Sequence, residues 1–462
     1  MQIEQIYTGC LAQGAYYITS NGEAAIIDPL REIQPYINRL ERDSVKLKYI
    51  FETHFHADFV SGHLDLSEKT GAPIVFGPEA KPEFPFISAK DGENFRIGNI
   101  TLKTLHTPGH TLESTCYLLI DENGKENALF SGDTLFIGDV GRPDLAQKAA
   151  HMTKEELAAI LYNSLRNKIM TLPEDVIVYP AHGAGSACGK NMSKETVSTI
   201  GNQKQFNYAL RANMTEAEFV KEVTEGLLPA PAYFSANVAM NKKGYERYET
   251  VLNNGMRALD PDEFEDAADG TGALILDTRN NEDFYKGFIP QSVNIGLQGD
   301  FAPWVGSLIA DVKQEILLVT DEGSEEEAVT RLSRVGFDTI LGHLKGGYSA
   351  WEKSGKETDQ VNRITAEEFV KAYAYHDKVI DIRKETEYHS QHIKDAENTP
   401  LADINTWIKE IDPSKHFYIH CAGGYRSMMA ASILQSRGYR NFSEIQGGIS
   451  AIKDSAVPMI KA

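Results

Sequence analysis

The chain has 462 residues, 42% hydrophobic and 24% charged, with 46 Lys and Arg against 66 Asp and Glu for a formal charge of -20. That length exceeds the roughly 250 to 300 residues at which one core stops growing, so two or three domains are expected of an ordinary globular protein. The acidic balance argues against a nucleic-acid partner, and with no apolar run long enough to cross a bilayer, no membrane partner is expected.

The N-terminal stretch MQIEQIYTGCLAQG has neither a basic n-region nor an apolar h-region, so a cytoplasmic location is expected. Cys10, Cys116, Cys188 and Cys421 form no CxxC pair, which speaks against a disulfide framework or a zinc ribbon. Cys10 and Cys116 read as core residues.

Up to about residue 240, short β-rich runs (AYYIT, AAIID, YIFETH, PIVFG, ITLKTLH, STCYLLI, ALFSGD, VIVYPAH) alternate with turns and a few helical stretches such as KEELAAILYNSL. His or Asp recurs where these runs end: His54, His56 and Asp58 in THFHADFVSGH, His110 in TPGHTLES, Asp133 in LFSGDTLF and His182 in VYPAHGAGS. A rigid sheet that aims its terminal loops at one edge is how α/β metal sites are built. The first stretch nearly completes HxHxDH, but Phe59 occupies the last ligand position and has no lone pair to give.

After Gly244 the chain repeats itself. LILDTRNNEDFYKGFIPQSVNI from Leu274 parallels VIDIRKETEYHSQHIKDAENTP from Val379, and GHLKGGYSAWEKSG from Gly342 parallels SEIQGGISAIKDSA from Ser443. The unit is about a hundred residues, far longer than solenoid repeats, and its buried strands (ALILD, EILLVT; KVIDI, FYIHC) predict parallel α/β sheets. The last repeat carries FYIHCAGGYRS: a strand, a six-residue loop from Cys421 to Arg426, and a helix expected near Ser427. Such a loop turns backbone N–H groups and the helix dipole toward the sulfur and favours the nucleophilic thiolate, with Arg426 available to an anionic donor. The earlier repeat reads LLVTDEGSEEEAVTRL, with Asp321 in the place given to Cys421, and is expected to be inactive.

The five spaced elements resemble the metallo-β-lactamase superfamily over residues 1 to about 240, and the cysteine loop resembles rhodanese. DVGRPDL from Asp139, AHGAGSACGK from Ala181 and EFVKEVTEGLLPAPAYFSANVAMNKKG from Glu218 resemble the persulfide dioxygenase branch. The implied fold class is α/β: a metallo-β-lactamase αββα sandwich (1–243) followed by two rhodanese-like parallel α/β domains, one inactive (258–356) and one carrying Cys421 (360–462).

The resemblance implies a single non-haem Fe(II) per chain on His54, His110 and Asp133, with His56, Asp58 and His182 around it or as further possible ligands. Arg142 in GRPDL would face substrate, and Cys188 and Lys190 would stand at the same mouth. The implied function is oxidation of a low-molecular-weight thiol persulfide by O2 to sulfite, coupled to sulfur transfer at Cys421 that yields thiosulfate, in sulfide detoxification. Self-association into a homo-oligomer is also implied. Three rivals stand beside this reading: a two-metal thioester hydrolase of the glyoxalase II type, a cysteine phosphatase at the Cys421 loop, and a non-enzymatic sulfur carrier.

Overall fold

The structure is a computed structural model that describes residues 1–374 and 377–461, so residues 375, 376 and 462 of the third expected domain lie outside the description. The chain divides into two compact units, Met1–Tyr248 with Ser333–Gly336, and Glu249–Leu332 with Phe337–Ala462.

The first unit contains two six-stranded sheets. One begins with Gln2–Thr8, Gln13–Ser20, Glu23–Ile27 and Lys46–Glu52; the other has Glu126–Gly132 between Ile177–Pro180 and Thr115–Ile120. Each AYYIT-like run alternates its side chains between two buried faces. Tyr16, Ile18, Ile27 and Phe51 of the first sheet meet Leu102, Tyr117, Leu119 and Phe130 of the second in one core. Their neighbours Tyr17, Ile26 and Ile50 point the other way and pack on helix Gln34–Asp43 through Tyr36, Ile37 and Leu40. Leu118, Leu129 and Val178 pack likewise on helix Lys154–Ser164 through Ala158 and Leu161. The layers run helix, sheet, sheet, helix, the αββα sandwich expected from the sequence. Strands buried on both faces explain the near-continuous apolar runs. The helical stretch KEELAAILYNSL starts where Thr153 and Glu156 form a reciprocal capping box.

The second unit holds both repeats. Each forms a five-stranded sheet of parallel pairs in the same spatial order, with Leu274–Asp277 beside Ile316–Val319 in one and Lys378–Asp381 beside Phe417–His420 in the other. The repeat extends to side-chain detail. Arg279 forks onto Asp277 and reaches the Gly287 carbonyl; Arg383 forks onto Asp381 and reaches the Gln391 carbonyl. Register refines the match between the repeats. Asp277 pairs with Val319 while Asp381 pairs with His420, so the residue standing where Cys421 stands is Thr320, and the expected Asp321 lies one position further on. No helix among the described residues is long and apolar enough to cross a membrane.

Candidate metal centre and cysteine loop

The chain turns sharply at the ends of the first unit's strands, and the turns bring the six candidate ligands together. His54, His56 and Asp58 follow Lys46–Glu52, His110 follows Ile100–His106, Asp133 follows Glu126–Gly132, and His182 follows Ile177–Pro180. All six are at least nine-tenths buried. They form two neighbouring triads, His54–His110–Asp133 and His56–Asp58–His182, with the potential ligand atoms of each within 4.8 Å of one another.

Hydrogen bonding distinguishes the triads. Thr53 Oγ1 gives its proton to Asp28 Oδ2 at 2.9 Å and lies 3.0 Å from His54 Nδ1, so it accepts from that nitrogen. His110 Nδ1 faces the Arg142 carbonyl at 2.9 Å and donates to it. Both rings therefore carry their proton on Nδ1 and present an Nε2 lone pair inward, the orientation that outer partners impose on ligating histidines. The two Nε2 atoms lie 3.7 and 3.5 Å from Asp133 Oδ2, which is buried without a hydrogen-bond partner among the described residues. Two imidazole lone pairs and an orphaned carboxylate oxygen suit a divalent ion with open positions.

The second triad is bonded only in part: His56 Nδ1 and Nε2, Asp58 Oδ1 and His182 Nε2 are buried without a hydrogen-bond partner among the described residues, although carboxylates lie close to two of them. The His182 ring lies between Asp133 Oδ1 at 2.7 Å and Asp58 Oδ2 at 2.8 Å. His56 Nε2 lies 3.2 Å from Asp28 Oδ1 and 3.7 Å from Glu52 Oε2, on the side of those carboxylates. Phe59 is wholly buried, its ring 4.3 Å from the His56 ring centre and 6.2 Å from that of His182. Without metal, burial and the neighbouring His56 hold His54 well below the ordinary imidazole range. Burial works against the charged forms of Asp133 and His182, yet their mutual attraction wins: the carboxyl lies far below its usual value and the imidazole well above.

Cys188 is buried beside this centre, its sulfur grouped with Asp133 and His182 within the same 4.8 Å. Burial first, then Asp58 and Asp133, push its thiol well above the ordinary value, so it stays protonated. Arg142 spends its fork inside the protein, on Asp144 at 2.7 and 2.6 Å and on the carbonyls of Ala187 and Leu228. An anionic substrate would have to displace Asp144 to reach it. Lys190 Nζ donates to the Glu222 and Glu225 carbonyls. Cys116 is core, with burial pushing its thiol up to about 11, whereas Cys10 is partly exposed rather than buried as expected.

Several supporting residues have no signature in spacing. Asp139 accepts the backbone N–H groups of Lys190 and Asn191 and the Tyr208 hydroxyl, fixing the loop that carries Cys188. Asn241 donates to the carbonyls of His56 and Phe59 and accepts from Ser61 N–H, which shapes the THFHADFVSGH turn. Thr53, held by Asp28, acts on the His54 ring as described. A backbone carbonyl that orients a ligand, as at Arg142, leaves no trace in residue type.

In the last repeat, Cys421 closes strand Phe417–His420 and is almost fully buried. The helix spans Tyr425–Ser436 and so begins inside the six-residue loop, two residues before the expected start. Gly424, at φ +109°, turns its N–H onto Sγ at 3.1 Å, a backbone conformation open to glycine. Arg426 sits in the first helical turn and is held by both Glu387 oxygens at 2.6 and 2.8 Å. In the earlier repeat Thr320 is buried and Asp321 is exposed on a cavity of about 330 Å³ shared with Asn280, Glu327 and Arg331. Among the residues of that loop there is no thiol.

Comparison with known proteins agrees with this architecture. The family model for the metallo-beta-lactamase superfamily matches residues 8–182, and that for the rhodanese-like domain matches residues 260–354 and 365–455. The human protein named persulfide dioxygenase ETHE1, mitochondrial, is 31% identical over 48% of this chain and 79% of its own length. A Schizosaccharomyces pombe protein named "Probable hydroxyacylglutathione hydrolase" is 30% identical over 44% of this chain and 82% of its own. A crystal structure titled metallo-beta-lactamase from Staphylococcus aureus is 32% identical, with a TM-score of 0.66, covering 75% of this chain and 99% of that one. With its paired sheets, its buried His54–His110–Asp133 triad and its duplicated parallel α/β fold, the chain belongs to the metallo-beta-lactamase superfamily and carries tandem rhodanese-like domains behind that domain.

Proposed function

We propose that the chain oxidises a low-molecular-weight thiol persulfide and passes sulfur to the sulfite formed, the first step in residues 1–243 and the second in residues 360–462, with residues 258–356 as a catalytically inactive copy. The observation that carries the reading is Asp133 Oδ2. It is unpartnered and faces two Nε2 lone pairs, while Oδ1 is already bonded to His182 and Phe59 fills the place of a further ligand. The apolar ring of Phe59 and the bond of Asp133 Oδ1 to His182 favour one ion over two. Iron(II) on His54, His110 and Asp133 would supply adjacent open positions for a persulfide sulfur and dioxygen.

The surrounding residues prepare that site. Thr53 and the Arg142 carbonyl fix the ring tautomers, and His182, charged between two carboxylates, holds a proton at the edge of the reacting space. The Cys188 thiol, kept neutral, adds a weak donor that does not repel an anionic persulfide. Phe59 keeps water from one side. In balance, RSSH + O2 + H2O gives RSH + H2SO3, with the outer sulfur oxidised and dioxygen reduced. At Cys421 a second persulfide transfers its outer sulfur, releasing RSH, and sulfite then removes that sulfur as thiosulfate and leaves the thiol.

Oxygen consumption with several purified thiol persulfides, read with metal analysis, tests the reading. One iron per chain and uptake that depends on persulfide are expected. Turnover in the absence of oxygen would overturn it. The second reading, a two-metal thioester hydrolase, is favoured by the presence of the His56–Asp58–His182 triad and by the hydrolase relative. Two ions per chain together with oxygen-independent thioester cleavage would establish it in place of the first.

A further inference from the structure

Beneath the Cys421 loop lies a chain of buried polar groups that the proposed activity does not use. Ser427 Oγ is 3.5 Å from Cys421 Sγ and 2.5 Å from Glu444 Oε1; Glu444 Oε2 is 2.7 Å from Arg363 Nε; and Arg363 Nη1 is 2.8 Å from Glu282 of the cysteine-less repeat. Ser427 and Glu444 are fully buried. A serine hydroxyl has one proton, and the shortest of its contacts, to a carboxylate, takes it. What Ser427 then turns to the sulfur is a lone pair. Burial raises the Glu444 carboxyl although Arg363 and Ser427 pull it back, and its pairing with Arg363 keeps it the charged partner.

The chain of groups accompanies the cysteine. Register places His343 where Glu444 stands and Ala258 where Arg363 stands in the repeat that lacks the thiol, and His343 bonds the Gly255 carbonyl instead. The ion pair is thus present in the repeat that has the thiol and absent from the one that lacks it.

We propose that Glu444 is a positioning residue for Cys421: it takes the hydroxyl proton of Ser427, so that Ser427 accepts the proton of the resting thiol and aligns the sulfur, and Glu282 of the inactive repeat steadies this arrangement by holding Arg363. The loop thus sets two influences against each other. The Gly424 N–H and the helix N-terminus favour the thiolate, while Ser427 and Glu444 favour an ordered thiol. The other charged groups about the sulfur are paired among themselves: Arg426 with Glu387, and Arg383 with Asp381, which the buried His420 ring approaches at 3.9 Å. The inference rests on the sulfurtransferase reading only for its use, not for its geometry.

The test is the pH dependence of Cys421 alkylation by iodoacetamide in the full-length protein, followed on the Cys421 peptide by mass spectrometry. In Glu444→Gln the Arg363 guanidinium, which can only donate, takes the amide oxygen and the amide N–H turns to Ser427, whose own proton is then free to face the sulfur, so the midpoint should fall by about one pH unit. Ser427→Ala removes the acceptor of the thiol proton and should also lower it. Whichever of the two folds with a native circular dichroism spectrum decides the matter: a lowered midpoint supports the proposal, and an unmoved or raised one overturns it. Alkylation does not require turnover, so absence of thiosulfate formation in the wild-type protein would defeat the proposed activity and leave this result standing.

Discussion

Gly141, inside the DVGRPDL stretch, offers the sharpest test of the metal centre because it touches the site without being a ligand. A β-carbon added there would lie 2.0 Å from the Asp133 carbonyl oxygen and 2.9 Å from His110 Nδ1. Non-bonded carbon contacts settle near about 3.5 Å, so Gly141→Ala must part these segments by about 1.5 Å. Both neighbours belong to the proposed ligand set, and backbone cannot swing aside as a side chain can. A displacement of that size in a site preorganised to within about half an ångström is expected to cost about 100-fold in rate and between about 10- and 100-fold in metal affinity. The assay is persulfide-dependent oxygen uptake and bound iron after dialysis at fixed free metal, with circular dichroism to confirm folding. A variant that keeps full metal and more than about a third of the activity would refute the inference that this glycine is there to let the backbone approach His110 and Asp133.

His110→Ala removes one of the inward lone pairs and should abolish oxygen uptake while leaving Cys421 alkylation unchanged. Cys421→Ser should leave uptake intact and shift the product from thiosulfate to sulfite, as resolved by ion chromatography. Phe59→His restores the missing ligand position and, under excess metal, should raise bound metal from one toward two ions per chain; the exchange of a buried apolar ring for a polar one costs about 2 to 3 kcal/mol in the metal-free protein, visible as earlier unfolding in urea. Glu387→Gln breaks the charged clasp on Arg426 and should lower the KM for an anionic sulfur donor several-fold, with kcat changed little.

The fold was legible wherever burial imposes a pattern. Runs such as AYYIT and STCYLLI are strands because both of their faces are covered, and the Thr153 and Glu156 signal marks a helix start because its cap satisfies otherwise orphaned N–H groups. The six candidate ligands were legible for a related reason, since they stand at or in the loops that follow strand ends. Hydrogen-bond direction was not legible. Spacing treats His54 and His56 alike, and only the partners, Thr53 for one and Asp28 with Glu52 for the other, turn one ring toward Asp133 and leave the other facing different carboxylates. Arg142 shows the same limit: a guanidinium in a motif reads as a free fork until Asp144, two residues on, is seen to occupy it. The place of Cys421 in the other repeat was misjudged by one residue because the loops differ in composition, and sheet register, a long-range property, sets the match at Thr320.

Phe59 and Thr320 mark the same physical event in the two halves of the chain. Each stands where a functional atom would complete a site, and each is buried. The replacements differ in what burial asks of them. Phe59 lies against the imidazole rings of His56 and His182 and carries no polar group of its own to leave unmet, although it gives their unpartnered nitrogens nothing to bond. Thr320 leaves its hydroxyl without a partner among the described residues, an expense that packing alone does not explain. On the proposed reading the metal domain holds one ion rather than two, and the earlier repeat keeps its scaffold without a cysteine at this position. A scaffold is kept when something else leans on it. The hydrogen bonds from Tyr425, in the cysteine loop, to the Gly296 and Gln298 carbonyls of the earlier repeat are such a dependence, and with Glu282 they tie the shape of that loop to the repeat that lacks the cysteine.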